Sequence, residues 1–354
     1  MIADKKFEIK KIVKSRLSQV NFHKLQFGRI FSDHMLEAQF INGEWKPPKI
    51  KAFGKIQISP ASPVLHYGQE CFEGMKAFRQ KNGQVVLFRP LDNFTRLNNS
   101  ARRLCMAKVS EDIFLNGIKQ LVSLDEKWVK KGKERSLYIR PFLISSGEFI
   151  VARPSKEYKF FIITSPSQAY YREEIKVIVE EKFTRAAKGG AGFAKAGGNY
   201  GASFYATQRA IKKGYTQVIW TDSKEHKYIE ESSTMNLMFR IKNTIVTPEL
   251  SDSILPGITR SSIIQLAKDR GISVEERKIS VDEIIKRIKD KSLTEFFGVG
   301  TAVTVNDIST IGYNGVDYLI NNPENSYAKL LKQDLHNIQY GETEDPYNWI
   351  VPIN

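Results

Sequence analysis

The stretch Gly189-Gly190-Ala191-Gly192-Phe193-Ala194-Lys195-Ala196-Gly197-Gly198-Asn199-Tyr200-Gly201 gathers six glycines around one lysine. Glycine has no Cβ, so such a segment takes positive φ freely and lets a flat molecule approach the backbone closely. A lysine so poorly shielded by large neighbours can present its amine to a bound carbonyl. The same segment also reads as a solvated surface loop, since most lysines are exposed. The remainder of the chain has to decide between the two.

At 354 residues the chain suggests two domains, and 41% apolar with 26% charged residues suffices to build cores and cover them. No run of residues has the length and apolarity of a membrane span. The N-terminus lacks the apolar stretch of a signal peptide, and Asp4 and Glu8 interrupt the basic residues that a presequence would need. Two cysteines, Cys71 and Cys105, fit a reducing cytoplasm without a disulfide framework. The net charge of +15 raises nucleic acid as a partner. Basic residues are nevertheless interleaved with acids, as in Glu173-Glu174-Ile175-Lys176, and no zinc spacing or aromatic-basic motif accompanies them. Small anionic substrates are the better expectation.

In chain order, the first 35 residues read as a basic strap or early helix. Gly43-Glu44-Trp45 marks a hairpin, and Asn82-Gly83 before Val85-Val86-Leu87-Phe88 marks another. Asp92 to Leu104 has helical spacing, with Arg96 near its beginning. Ser136 to Ile144 and Tyr158 to Thr164 read as strands, followed by a break at residues 165–168. The second half offers strand Ile175–Glu180, helix Ser203–Lys213, strand Gln217–Thr221, a hairpin from Leu237–Arg240 and Thr244–Thr247, and a strand from Phe296 into a turn. Helices follow Leu255-Pro256-Gly257-Ile258-Thr259-Arg260, with Thr259 as cap, and Ser280, with Glu283 completing a capping box. A closing helix runs from Asn325 to Tyr340.

A pyridoxal phosphate enzyme needs a lysine, an anion site, a carboxylate at the pyridine nitrogen and a hold on the phenolic oxygen. Lys195 supplies the first. Amides at the helix start, Ile258 and Thr259, with an arginine such as Arg96, would make the anion site. Glu231 and its neighbour Glu230 compete for the third role, and Tyr200 suits the fourth. The five histidines show no metal-ligand cluster. Gly298-Val299-Gly300 begins a dinucleotide fingerprint, but Val303 holds the third glycine position.

The lysine stretch resembles the motif of branched-chain amino acid aminotransferases, in the class-IV (fold type IV) pyridoxal phosphate group. The resemblance extends in the family's order through Phe27-Gly28, Ser32-Asp33-His34-Met35, Leu65-His66-Tyr67, Phe72-Glu73-Gly74-Met75-Lys76-Ala77-Phe78, Leu87-Phe88-Arg89-Pro90 and Leu137-Tyr138-Ile139-Arg140-Pro141. It continues through Glu231 to Asn236, Leu255 to Arg260 and Gly300-Thr301-Ala302. The layout is closer to the longer, eukaryote-type branch than to the shorter bacterial one. Met238 departs from the aromatic of the family signature. Val303-Thr304-Val305-Asn306 lacks the Cys-x-x-Cys of mammalian members, so thiol redox control of that kind is not expected.

The resemblance implies an α/β (α+β) fold of two domains with the cofactor in the cleft between them. We take residues 1–168 as the smaller N-terminal α+β domain, 169–175 as a linker and 176–354 as the larger cofactor-binding domain. It implies Lys195 as the Schiff-base lysine and proton-moving base, Glu231 (five residues before Asn236) at the pyridine nitrogen, and Tyr200 at the phenolic oxygen. Arg96, Ile258, Thr259 and Thr301 would hold the phosphate. Thr301 and Ala302 would meet the substrate's α-carboxylate, with Thr234 also against substrate. Phe27, Phe72, Tyr138 and Tyr67, the last from the other subunit, would wall an apolar pocket, and Arg140 would accept a distal carboxylate. The implied reaction moves the amino group of L-leucine, L-isoleucine or L-valine to 2-oxoglutarate in a cytoplasmic homodimer. A D-amino acid aminotransferase or aminodeoxychorismate lyase of the same fold is the alternative, and a nucleic-acid-binding protein a more distant one.

Overall fold

The computed structural model describes residues 7–168, 174–321 and 323–354, and the chain falls into two compact units. The first comprises residues 7–168 with Ala194–Gly197 and Ile338–Asn354; the second comprises 174–193 and Gly198–Asn337. Most of the expected linker, residues 169–173, lies outside the described residues.

The first unit is built on a ten-stranded sheet, counted among the described residues. Its order is Glu8–Ile9, Lys49–Ala52, His34–Ile41, Tyr158–Ser167, Ser136–Ser145, Met75–Arg79, Val85–Phe88 and Ile350–Pro352. Glu44–Trp45 extends the edge of His34–Ile41, and Glu70–Phe72 pairs with Ser136–Ser145. The Asn42-Gly43 hairpin forms with both residues at positive φ, and a turn at Asn82-Gly83 joins Met75–Arg79 to Val85–Phe88. Ile350–Pro352 pairs antiparallel with Val86–Phe88, which is why the C-terminus belongs to this unit. One face packs Leu36, Ile139, Leu143 and Phe160 against Leu97, Phe114, Ile118 and Trp128 in a single apolar cluster.

Helix Pro90–Arg103 opens with proline at its first turn, where a missing N–H costs nothing. Its buried residues include Asn93, Arg96, Leu97, Ser100 and Ala101, spaced three and four apart on one face. Three of these are polar, which aligns Asn93, Arg96 and Ser100 in one buried stripe. Among the described residues, the basic N-terminal region is a strap rather than a helix, with strand Glu8–Ile9 on Lys49–Ile50 and a 3-10 turn at Leu17–Gln19. Asp33 accepts from the Ser15 hydroxyl at 2.5 Å and the Arg16 amide at 2.9 Å, while the Ile12 amide donates to His34 Nε2 at 3.1 Å.

The second unit carries a nine-stranded sheet, again among the described residues. Its order is Ile229–Ser232, Gln217–Thr221, Ile175–Val179, Thr304–Tyr313, Leu293–Gly300, Asn236–Ile241, Thr244–Thr247 and Ser273–Glu276, with Val316–Leu319 beside Thr304–Tyr313. Ile175–Val179 pairs parallel with both neighbours, and the central pairs around Leu293–Gly300 are antiparallel. Met238 is fully buried opposite Phe297, a core position that an unbranched thioether fills as an aromatic would. The helix expected from Ser203 begins earlier, at Gly197, and runs to Lys212.

Two helix starts separate the capping rules. Ser280 accepts the Glu283 amide at 3.0 Å, as the capping box requires. Thr259 is not a cap: Gly257 is, at φ −69° and ψ 128°, and the helix Ile258–Asp269 already includes Thr259 in its first turn. Gly257 occupies that place because a Cβ there would overlap Asn236 Oδ1.

The start of helix Tyr327–Gln339 is capped by a buried carboxylate. Glu295 accepts from the Ser326 hydroxyl (2.7 Å) and from the amides of Tyr327 (2.8 Å) and Ala328 (3.0 Å), and pairs with Arg240 Nη1 at 2.6 Å. Arg240→Met should therefore strand the Glu295 charge and cost about 3–5 kcal/mol in urea denaturation. The double variant Arg240→Met/Glu295→Gln should regain part of that loss, because the amide still accepts from the helix. An equal loss in both variants would contradict the assignment.

Candidate active site

In the first unit the lysine segment is stitched to a strand. Cys71 and Ala196 form an antiparallel bridge, the Phe72 amide donates to the Lys195 carbonyl at 3.0 Å, and the Lys195 amide donates to Ser100 Oγ at 2.9 Å. These bonds explain why Ala194–Gly197 belongs to this unit although chain order sets it among residues of the second. They also aim the amine: Lys195 Nζ lies 4.6 Å from the centre of the Phe72 ring.

The expected pocket walls of this unit gather around the same ring. Arg140 stacks on Phe72 at 4.5 Å and on Tyr138 at 5.4 Å, and its Nη2 donates to the Tyr138 hydroxyl at 3.0 Å. Phe27 meets Tyr138 edge-on at 4.8 Å between ring centres. Tyr138 leaves no room for a side chain at residue 74, where a Cβ would overlap its hydroxyl, so glycine is required there. Tyr67 stands apart, half exposed on the short helix Pro63–Tyr67, with its hydroxyl donating to the Ile150 carbonyl.

Behind the lysine, Arg96 Nε and Nη2 grip the two oxygens of Glu73 at 2.7 and 2.9 Å, and Asn93 Nδ2 adds a third bond at 2.7 Å. Glu73 is fully buried. Burial pushes its carboxyl up, but Arg96, Lys195 and Asn93 outweigh that and hold it below the ordinary carboxylate range. Glu70, on the same strand as Phe72, behaves oppositely. Burial raises its carboxyl, with only partial relief from the Gly197 amide and from Arg140.

In the second unit, Glu231 is buried and pairs with Arg185 Nη1 at 2.9 Å. Its other oxygen accepts from Asn236 Nδ2 at 3.1 Å and the Leu255 amide at 3.2 Å. Arg185 Nη1 also donates to the carbonyls of Ser253 (2.9 Å) and Gly192 (3.2 Å). One buried guanidinium thus ties the carboxylate to the glycine-rich segment and to the turn before Gly257. Glu230, the competitor, instead accepts from the Ser253 hydroxyl, and burial pushes its carboxyl up. Because Gly257 abuts Asn236, the Glu231 carboxylate and the start of helix Ile258–Asp269 form one cluster. That helix start has no side-chain cap, and its first-turn amides with the positive dipole end suit a phosphate.

Thr234 is exposed and lies by the turn at Thr301 and Ala302: a Cβ at Gly300 would come within 3.1 Å of the Thr234 carbonyl. Tyr200 sits half-buried early in helix Gly197–Lys212, whose start is held by Asn199 Nδ2 on the Ala191 carbonyl at 2.8 Å. Arg185, Glu73, Asn93 and Ser100 escaped the sequence reading. Glu73 stood in the Phe72–Phe78 block without a role, and the helical spacing of Asn93, Arg96 and Ser100 carried a signal for two of the others. Each unit holds residues that fit part of a pyridoxal phosphate group: in the first, an amine on an aromatic face; in the second, a buried carboxylate held by an arginine and clustered with a helix start that has no side-chain cap.

Comparison with known proteins gives a consistent picture. The family model for class IV amino-transferases matches residues 70–311. A Staphylococcus epidermidis protein called a probable branched-chain-amino-acid aminotransferase is 45% identical over 354 residues, 98% of each chain. Branched-chain-amino-acid aminotransferase 2 of Bacillus subtilis is 44% identical over 94% of this chain and 93% of its own. These relatives are bacterial, so the longer layout is not a eukaryotic mark. Among solved structures, the branched-chain amino acid aminotransferase of Escherichia coli superposes with a TM-score of 0.71 at 26% identity, covering 90% of this chain and 99% of that one. The PLP-form (holo-form) of the Thermobaculum terrenum branched-chain amino acid aminotransferase gives 0.73 at 20% identity, covering 91% and 98%, a likeness of fold.

The depressed Glu73 carboxyl sets a pH dependence. Its contribution to stability is complete above the unfolded-chain value, about pH 4.3, and is lost as pH falls through the lower folded value. Urea midpoints of the protein and of Glu73→Gln should differ most at neutral pH, the variant being weaker, and converge below about pH 4. A gap that stays constant with pH would contradict this.

Proposed function

The chain belongs to the class IV amino-transferases, and on that premise we propose that it is a pyridoxal 5′-phosphate-dependent branched-chain amino acid aminotransferase. It transfers the amino group of L-leucine, L-isoleucine or L-valine reversibly to 2-oxoglutarate, giving the branched 2-oxo acid and L-glutamate. The observation that carries the reading is the continuous face of Phe27, Tyr138, Arg140 and Phe72 that ends at the Lys195 amine.

Bound pyridoxal phosphate supplies an electron sink for breaking the Cα–H bond. Lys195 would hold the cofactor through its amine and would serve as the base that takes the proton from the substrate Cα. Glu231 would face the pyridine nitrogen, its carboxylate held in place by the Arg185 guanidinium at 2.9 Å. Tyr200 takes the phenolic oxygen; Arg96, Ile258, Thr259 and Thr301 take the phosphate. The amides of Thr301 and Ala302 receive the α-carboxylate, with Thr234 alongside.

One pocket must hold an apolar side chain in one half-reaction and a carboxylate in the other. Phe27, Phe72 and Tyr138 supply apolar walls, and Arg140, lying flat on two of those rings, shows little charge to a branched side chain while keeping donors for a distal carboxylate. We further propose a cytoplasmic homodimer. Leu65, Tyr67, Ile150 and Val151 are large apolar residues exposed in the first unit, and Tyr67 is bonded to Ile150. A second copy covering them would bring Tyr67 to its partner's pocket.

The purified protein should show a visible absorbance band that Lys195→Ala abolishes, and should consume L-leucine with 2-oxoglutarate but not D-alanine. The same band in both proteins would remove Lys195 from its role, and turnover of D-donors alone would favour a D-amino acid aminotransferase. Sedimentation should give a dimer that Ile150→Asp weakens; an unchanged dimer would place the interface elsewhere.

A further inference from the structure

Strand Glu70–Phe72 pairs antiparallel with Ser136–Ser145, Glu70 opposite Ile144 and Phe72 opposite Phe142. Alternation along both strands sends Cys71, Ile139 and Leu143 into the fully buried core. The opposite face then carries Glu70 and Phe72 together with Tyr138, Arg140 and Phe142. Arg140 lies over the Phe72 ring next to Glu70 on this face, and its charge partly offsets the burial that raises the Glu70 carboxyl.

The Glu70 carboxylate is fixed at its other side. It accepts the amide of Gly197, two residues beyond Lys195. Any Cβ at residue 197 would overlap Glu70 Oε1, so the fit requires glycine. A carboxylate immobilised in this way acts on Arg140 whatever substrate is bound.

We infer that Glu70 determines how the pocket divides its affinity between dicarboxylate and branched-chain substrates, as a resident counter-charge to Arg140. The inference rests on the proposed function and on Arg140 as the acceptor of the distal carboxylate. With an apolar side chain in place, Glu70 compensates an arginine charge that would otherwise sit among aromatic rings. With 2-oxoglutarate or glutamate in place, two carboxylates share one guanidinium, and Glu70 lowers the affinity for the second. Both substrates must leave the same pocket in every cycle, so a pocket that held the dicarboxylate too tightly would stall.

The test is Glu70→Gln, which removes the charge while keeping volume and an acceptor for the Gly197 amide. The holoenzyme and the variant are titrated calorimetrically with glutarate and with 4-methylpentanoate, and KM is measured for 2-oxoglutarate and for 4-methyl-2-oxopentanoate. Glutarate and 2-oxoglutarate should bind about fivefold tighter in the variant, and the branched probes should weaken or stay level. In an Arg140→Met background the substitution should no longer change the ratio. Equal shifts for both probes, or weaker dicarboxylate binding, would overturn the inference. Should the glutamine variant lose its fold, Glu70→Ser reads the same ratio. A native enzyme that transaminates neither substrate would instead overturn the proposed function, and one that does so with an unchanged ratio in Glu70→Gln overturns only this inference.

Discussion

The first unit depends on one short seam, where the Cys71–Ala196 bridge and the Phe72 amide on the Lys195 carbonyl sew a glycine-rich segment to a sheet strand. A lysine on a free loop would spread its amine over many rotamers, at a cost of up to about 2 kcal/mol to order it. Here the backbone on both sides of Lys195 is already bonded, and the Phe72 ring gives the amine a defined resting place. Small residues are needed around it because the seam is close: Gly197 meets Glu70 as Gly74 meets Tyr138.

Buried charges then set the chemistry available on each unit. Glu73 with Arg96, and Glu231 with Arg185, are ion pairs taken out of water, and such pairs add little net stability compared with apolar residues. Their value lies in orientation. Each carboxylate has its hydrogen-bond sites filled from several directions, so neither can turn without breaking bonds to a second element. The price is sensitivity to losing one partner, because the survivor stays buried and charged.

Much of this was legible in the residues themselves. Gly43-Glu44-Trp45 and Asn82-Gly83 marked two hairpins that form, while Phe27, Phe72, Tyr138 and Arg140 were picked out through the family resemblance. What was not legible depends on contacts distant in sequence. Arg185 lies ten residues before the lysine in no recognisable spacing, and its three acceptors come from residues 192, 231 and 253. Glu70 looks like an ordinary surface glutamate until strand pairing puts it on the Arg140 face. The helix expected from Ser203 starts at Gly197, since tertiary contacts there outweigh the poor helical propensity of paired glycines. Thr259 was preferred as a cap by residue type, and the close approach to Asn236 gave the place to Gly257.

The central claim is that a single amine, that of Lys195, carries the cofactor. Borohydride reduction of the holoenzyme followed by peptide mass spectrometry tests it most directly. The account predicts a phosphopyridoxyl mass on the peptide containing Lys195 and on no other; the adduct on a different lysine, or none in a protein that retains the cofactor, would contradict it.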